Sequence, residues 1–190
     1  MDPIAIYLEM DGMLADFDRG SRQVTDDDAL LTRPSTQLGK RLNGTSQEVW
    51  RLLESHPDFY LDLPLVPGAT QLYEVLRAYR PLILTTAPKP PGADYARQFR
   101  NVAAKKRAWC RKHFPWIPYQ DFICTTSSEK LKYLGYRLGR VQLLIDPDAR
   151  NCARWKEDGG VAIQHTDVET TISEFHRLLR CLGLARASAA

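Results

Sequence analysis

Two acids one residue apart, Glu9 and Asp11, follow directly on the apolar run Ile4–Leu8, and a glycine, Gly12, follows them. Three later apolar runs end in residues of related chemistry. The run 82–85 closes on Thr85, with Thr86 next; 121–124 leads into TTSSEK, which carries Lys130; 141–145 leads into Asp146, Pro147 and Asp148. Acids delivered from two strands suit a hard cation such as Mg²⁺, which takes carboxylate, carbonyl and water oxygens. Hydroxyls and a lysine beside that cation suit a phosphate group. Each piece alone has a plainer reading. An acid after a strand is most often a turn or helix-cap residue, paired threonines reflect strand preference, and a single lysine is ordinarily solvated surface. The order of the set, one piece per strand end, is what points to a magnesium-and-phosphate site.

Such a set needs a scaffold that brings strand ends together. Five short apolar runs read as strands: Ile4–Leu8, 82–85, 121–124, 141–145 and 161–163. Most are continuous rather than alternating, as expected of strands covered on both faces. Helical periodicity separates several of them. Leu72, Val75, Leu76 and Tyr79 share a face in 68–79; Phe99, Val102, Ala103 and Trp109 are the apolar positions of 96–114; Ile172, Phe175, Leu178, Leu179 and Leu182 are those of 169–184. Alternating strand and helix predicts an α/β parallel sheet, and in such sheets ligands sit beyond the carboxyl ends of the strands. About 50 residues after the first strand carry no strand pattern, but they include a capping box, Thr45 to Glu48, opening a helix. The expected organisation is a core of 1–16 and 64–184, a helical cap inserted at 17–63, and a frayed tail at 185–190.

The bulk properties are those of an ordinary globular chain: 190 residues, 44% hydrophobic, 26% charged, with a formal charge of +3. That mild excess fits a protein handling anions. No apolar run approaches the ~20 residues that span a bilayer, and the first residues lack the pattern of a secretory leader. Cys110, Cys124, Cys152 and Cys181 are too scattered for a C-x-x-C pair and read as reduced thiols, which places the protein in the cytoplasm. The basic stretch from Arg97 to Lys112 reads first as the solvated face of a helix and second as an attractor for a nucleotide, with nucleic acid less favoured. Trp109 reads as core packing. Trp50 and Tyr60 are candidates for stacking on a base or for packing the cap. The four histidines form no ligand pattern.

Taken together, the motifs resemble those of the haloacid dehalogenase (HAD) superfamily of phosphohydrolases, and within it the 5'(3')-deoxyribonucleotidases. EMDGMLADF (9–17) is similar to their DMDGVLADF, FYLDLPLVPGA (59–69) to FxDLxPxPGA, LILTT (82–86) to a strand ending in ICTS, and LLIDPDARN (143–151) to LLIDDRxxN. Lys106 to Trp109 matches a KxAW helix segment. The likeness spans most of the chain outside 17–58. It implies a Rossmann-like parallel sheet of about five strands with helices on both faces and a small helical cap after strand one. It also implies roles: Glu9 as nucleophile, Asp11 as acid and base, Lys130 as catalytic lysine. Thr85, Thr86 and Lys106 would join Lys130 in holding the phosphoryl group, and Glu9, the Asp11 carbonyl and Asp146 would bind Mg²⁺.

The chain departs from that family at two positions. Glu9 stands where the family has an aspartate, and Pro147 where the nucleotidases carry a second acid. The Glu9 carboxylate reaches about 1.3 Å further from the backbone, in a setting where a ~1 Å misplacement costs on the order of 10²-fold in rate. Three readings follow. The first is a Mg²⁺-dependent phosphohydrolase acting on a small phosphate ester, above all a (deoxy)nucleoside 5'-monophosphate, slowed or altered by Glu9 and Pro147. The second is a silent HAD-fold protein that binds a nucleotide or a partner. The third is altered phosphate chemistry on a modified nucleotide. A homodimer is compatible with each.

Overall fold

A computed structural model describes residues 3–25, 55–87, 95–139 and 141–184. The apolar runs pair as five parallel strands, β1 (Ile4–Leu8), β2 (Leu82–Thr86), β3 (Phe122–Thr125), β4 (Val141–Asp146) and β5 (Val161–Gln164), in the order β3-β2-β1-β4-β5. Every residue of the central strand β1 is buried. Its register sets Tyr7 beside Leu82 on one side and Leu144 on the other. From β1 the chain runs outward to β2 and β3, then returns to β4 and β5. That reversal opens a crevice at the carboxyl ends of β1 and β4, the place where open α/β sheets bind ligands.

Both faces are covered, which is why the strand sequences are apolar without alternation. On one face Ile4, Ile6, Leu8, Ile83, Leu143 and Ile145 meet α2 (Ala69–Arg77), α3 (Tyr95–His113) and α5 (Val168–Cys181) through Leu72, Leu76, Trp109, Phe175 and Leu179. On the other, Tyr7, Leu82, Leu84 and Leu144 meet Cys152 and Trp155 of α4 (Ala149–Glu157). The Trp109 indole N–H, fully buried, donates to the Leu63 carbonyl at 2.7 Å. It is a core residue, as its position in the apolar stripe implied.

The predicted boundaries shift for local reasons. β3 starts at Phe122 rather than Asp121, because Asp121 ends a 3-10 turn (Tyr119–Asp121) and pairs with Arg137. Two helices escaped the periodicity. α1 (Phe17–Thr25) is mostly polar, and a Cβ at its Gly20 would lie 2.4 Å from Leu63 Cδ2, so a side chain there would force Leu63 to shift. α4 buries only Cys152 and Trp155 and is signalled instead by its cap, the Asp148 carboxylate accepting from the Arg150 N–H. The capping box 45–48, Trp50, the loop 88–94 and the tail 185–190 lie outside the described residues. Among the described residues no helix is long and apolar enough to cross a membrane.

Candidate active site

β1 ends at Leu8, but its backbone stays in register for one more residue, the Glu9 N–H donating to the Ile145 carbonyl at 3.0 Å. The chain then turns back. The Met10 carbonyl accepts from Leu14 at 2.8 Å and Ala15 at 3.0 Å, and Gly12, at φ 76°, takes the left-handed conformation that a side chain would strain. This tight loop holds Glu9 and Asp11 at the crevice. Pro147 of the β4 loop packs over it, its Cγ 3.5 Å from where a Gly12 Cβ would stand.

The strand-end residues converge. Glu9 is buried, and one of its carboxylate oxygens, Oε1, accepts from the Met10 N–H at 2.9 Å, the Asp11 N–H at 3.4 Å and the Thr85 hydroxyl at 2.6 Å. Its other oxygen, Oε2, takes the Lys130 ammonium. Lys130, 2% exposed, also binds Asp146 Oδ2. Asp146 is steadied by the Asp148 N–H on Oδ1 at 2.8 Å and by the Asn151 amide on Oδ2 at 3.0 Å. Lys106 is fully buried; it pairs with Asp11 Oδ2 and donates to the Thr86 carbonyl at 2.6 Å and to Thr85 Oγ1 at 3.3 Å. The second Asp11 oxygen, Oδ1, is buried and has no hydrogen-bond partner among the described residues.

The structure therefore brings Glu9, Asp11, Thr85, Lys106, Lys130 and Asp146 into one network, and Thr86 joins it through its carbonyl rather than its hydroxyl. The basic helix divides as its faces require: Arg97, Arg100, Arg111 and Lys112 are exposed, whereas Lys106 turns inward. Lys130, which spacing alone would leave in solvent, is drawn inside by two carboxylates. Asn151 had no assigned role; its signals are its place a turn into the helix that follows Asp146 and its match to the asparagine that ends the LLIDDRxxN motif. Asp148 faces its own helix and pairs with Arg150.

Three carboxylates share two ammonium groups, so their proton affinities separate. For Glu9, burial pushes the carboxyl up, but Lys130 and Lys106 together hold it below its ordinary value. For Asp11, burial pushes the carboxyl up and the Glu9 charge adds to this, more than Lys106 offsets. Burial raises Asp146 as well, against the pull of Lys130. Lys130 is held protonated: burial alone would lower it, and Asp146 and Glu9 outweigh that. An ionised Glu9 beside an Asp11 that keeps its proton to higher pH is a pair of carboxyls divided by environment into two roles.

The donor set suits a hard cation. Glu9 Oε2 and Asp146 Oδ2 converge on a single cationic atom, the Lys130 nitrogen, and the unpartnered Asp11 Oδ1 adds oxygen with no donor on it. Magnesium is commonly held by one or two carboxylates with waters and phosphate oxygens completing the shell. Among the described residues no group of three acidic, imidazole or thiol side chains is gathered as a ligand cluster.

One solved structure shares the fold, and two others give lower superposition scores. Protein Tyrosine Kinase A of Mycobacterium tuberculosis superposes with a TM-score of 0.55 at 13% identity, over 96% of this chain and 98% of that one. A haloacid dehalogenase-like hydrolase from Burkholderia xenovorans LB400 gives 0.48 at 12% identity, over 86% and 81%. A HAD family hydrolase from Deinococcus radiodurans R1, with bound phosphate and sodium, gives 0.48 at 11%, over 99% and 100%. No curated protein sequence matches the chain. A sequence-family model does, over residues 2–172, which takes in every strand and all of the converging side chains. By that match the chain belongs to the family described as 5' nucleotidase, deoxy (pyrimidine), cytosolic type C protein.

Proposed function

We propose that this protein is a Mg²⁺-dependent phosphohydrolase that cleaves a small phosphate ester, above all a (deoxy)nucleoside 5'-monophosphate. The observation that carries the reading is the convergence of Glu9, Asp11, Thr85, Lys106, Lys130 and Asp146 from separate strand ends into one buried network. Glu9 and Asp146 would hold the cation together with the Asp11 carbonyl. When bound, Mg²⁺ offsets the charge of the phosphoryl oxygens.

The chain's own groups supply the rest. The Glu9 carboxylate attacks phosphorus, forming an acyl-phosphate bond as the phosphorus–oxygen bond to the sugar breaks. Asp11 gives its proton to the departing alkoxide, which its raised proton affinity favours. Water then attacks the phosphorus and loses its proton to Asp11, releasing Glu9 and inorganic phosphate. Lys106 and Lys130 balance negative charge throughout, in a site whose burial strengthens each charge–charge contact. The segment 17–63, of which residues 17–25 and 55–63 are described, is proposed as the helical cap. Phe59 and Tyr60 from its end pack with Phe17, and the Lys106 ammonium lies 5.6 Å from the Tyr60 ring centre. The four unpaired cysteines suit a reducing, cytoplasmic setting.

The test is phosphate release from a panel of nucleoside and deoxynucleoside 5'-monophosphates with Mg²⁺, comparing wild type with Asp11→Asn. Turnover in wild type that disappears in the variant supports hydrolysis. A wild type that releases nothing, yet whose melting temperature rises with one nucleotide, overturns turnover in favour of binding alone.

A further inference from the structure

The Glu9 carboxylate is bound the way a ligand is bound. Four donors converge on it from three parts of the chain: the Met10 and Asp11 N–H groups of the loop, the Thr85 hydroxyl on β2, and the Lys130 ammonium beyond β3. Two successive backbone N–H groups aimed at one oxygen form an anion-binding arrangement. A hydroxyl and an ammonium complete it, and all but Lys130 address the same oxygen, Oε1. Thr85 and Lys130 are also the groups on which the proposed hydrolysis depends to hold the phosphoryl oxygens.

We infer that Glu9 is a built-in anion that occupies the protein's own phosphoryl cradle, so that a phosphate monoester binds only by displacing it. This rests on the hydrolase reading and specifies how that site is regulated. The side chain's length is what permits the occupancy. Shortening it by one methylene withdraws the carboxylate by about 1.3 Å, more than the few tenths of an ångström over which a hydrogen bond tolerates stretching. An aspartate here keeps the charge while drawing the carboxylate back from Thr85 and Lys130. The resting protein is self-inhibited: donors that a substrate would use are spent on Glu9, and the carboxylate must leave the cradle before it can face phosphorus.

The experiment is titration calorimetry with inorganic phosphate in chelated, Mg²⁺-free buffer, which confines the comparison to the chain's own donors. Wild type, Glu9→Asp and Glu9→Ala are compared, each first checked for cooperative thermal unfolding. Glu9→Asp is expected to bind phosphate at least tenfold more tightly than wild type at the same net charge, and Glu9→Ala at least as tightly as Glu9→Asp. Equal affinity in wild type and Glu9→Asp overturns the inference, as does a gain confined to Glu9→Ala, which would report lost charge rather than a vacated cradle. If Glu9→Asp does not fold, Glu9→Gln, which loses the charge but keeps the side chain's length, takes its place: phosphate binding at least tenfold tighter in Glu9→Ala than in Glu9→Gln upholds the inference, and equal binding by the two overturns it. Nucleotide turnover is scored separately: hydrolysis by wild type without tighter phosphate binding in Glu9→Asp refutes only the self-occupancy, whereas the reverse pattern refutes only the hydrolysis.

Discussion

Asp11 gives one carboxylate oxygen to the Lys106 ammonium and keeps the other buried and, among the described residues, without a hydrogen-bond partner. An unsatisfied buried oxygen costs about 1–3 kcal/mol, and sites that tolerate such a cost are commonly functional. Here the free oxygen is the natural carrier of the proton that burial and the Glu9 charge favour on this group.

If Asp11 is the acid and base, Asp11→Asn lowers phosphate release by roughly 10²–10⁴-fold, the range expected of a positioned proton donor, while the protein still unfolds cooperatively. The pH profile carries the sign. The first step needs Asp11 protonated, so activity falls on the alkaline side as pH rises through the elevated Asp11 value, and it falls on the acid side as Glu9, held low by Lys130 and Lys106, becomes protonated. A rate profile from pH 4 to 9 checks this. An activity that kept rising across the whole range would exclude the assignment.

Lys130 bridges Glu9 and Asp146 where all three are buried. Lys130→Met leaves two carboxylates facing each other without a counter-charge. The expected loss is ~3–5 kcal/mol, the scale for breaking a buried ion pair on one side, measured by urea unfolding at pH 7. Added Mg²⁺ should recover part of that loss, because a cation can replace the missing charge between the two oxygens. A loss under ~1 kcal/mol would show that the pairing seen here is not maintained in solution.

Trp109 ties α3, the helix that carries Lys106, to the segment ending at Leu63. Trp109→Phe keeps an aromatic ring but removes the N–H that satisfies the Leu63 carbonyl. Destabilisation of about 1–3 kcal/mol is expected from the unsatisfied acceptor and the lost volume. Because α3 positions Lys106, substrate affinity should weaken alongside stability. Chemical denaturation and a KM measurement on the same preparation test the two effects together.

His165 is buried after β5, with Nδ1 at 2.8 Å from the Thr171 hydroxyl, and burial lowers its proton affinity. The unfolded chain therefore takes up this proton at higher pH than the folded one. Its contribution to stability is present in full above pH ~6.5 and is lost progressively as pH falls toward the depressed folded value. Thermal unfolding between pH 7.5 and 5 should show a steeper acid-side decline in wild type than in His165→Gln. Parallel curves would remove His165 as a contributor.

The alternation of apolar runs and helical stripes was enough to specify the parallel sheet, since strands buried on both faces must be continuously apolar and β1 is. The motif series was enough to mark Glu9, Asp11, Thr85, Lys130 and Asp146, because side chains at strand ends are placed by the sheet itself. Helices α1 and α4 were not legible: polar composition in one and a two-residue buried face in the other leave no periodicity to read. Nor was the pairing inside the site. Which ammonium meets which carboxylate, and that Glu9 folds back onto Thr85 and the loop amides, depend on distances between residues far apart in the chain. Local sequence sets side-chain chemistry and backbone preference. Only the packed tertiary structure decides which of those charges lose water together, and so which must find one another.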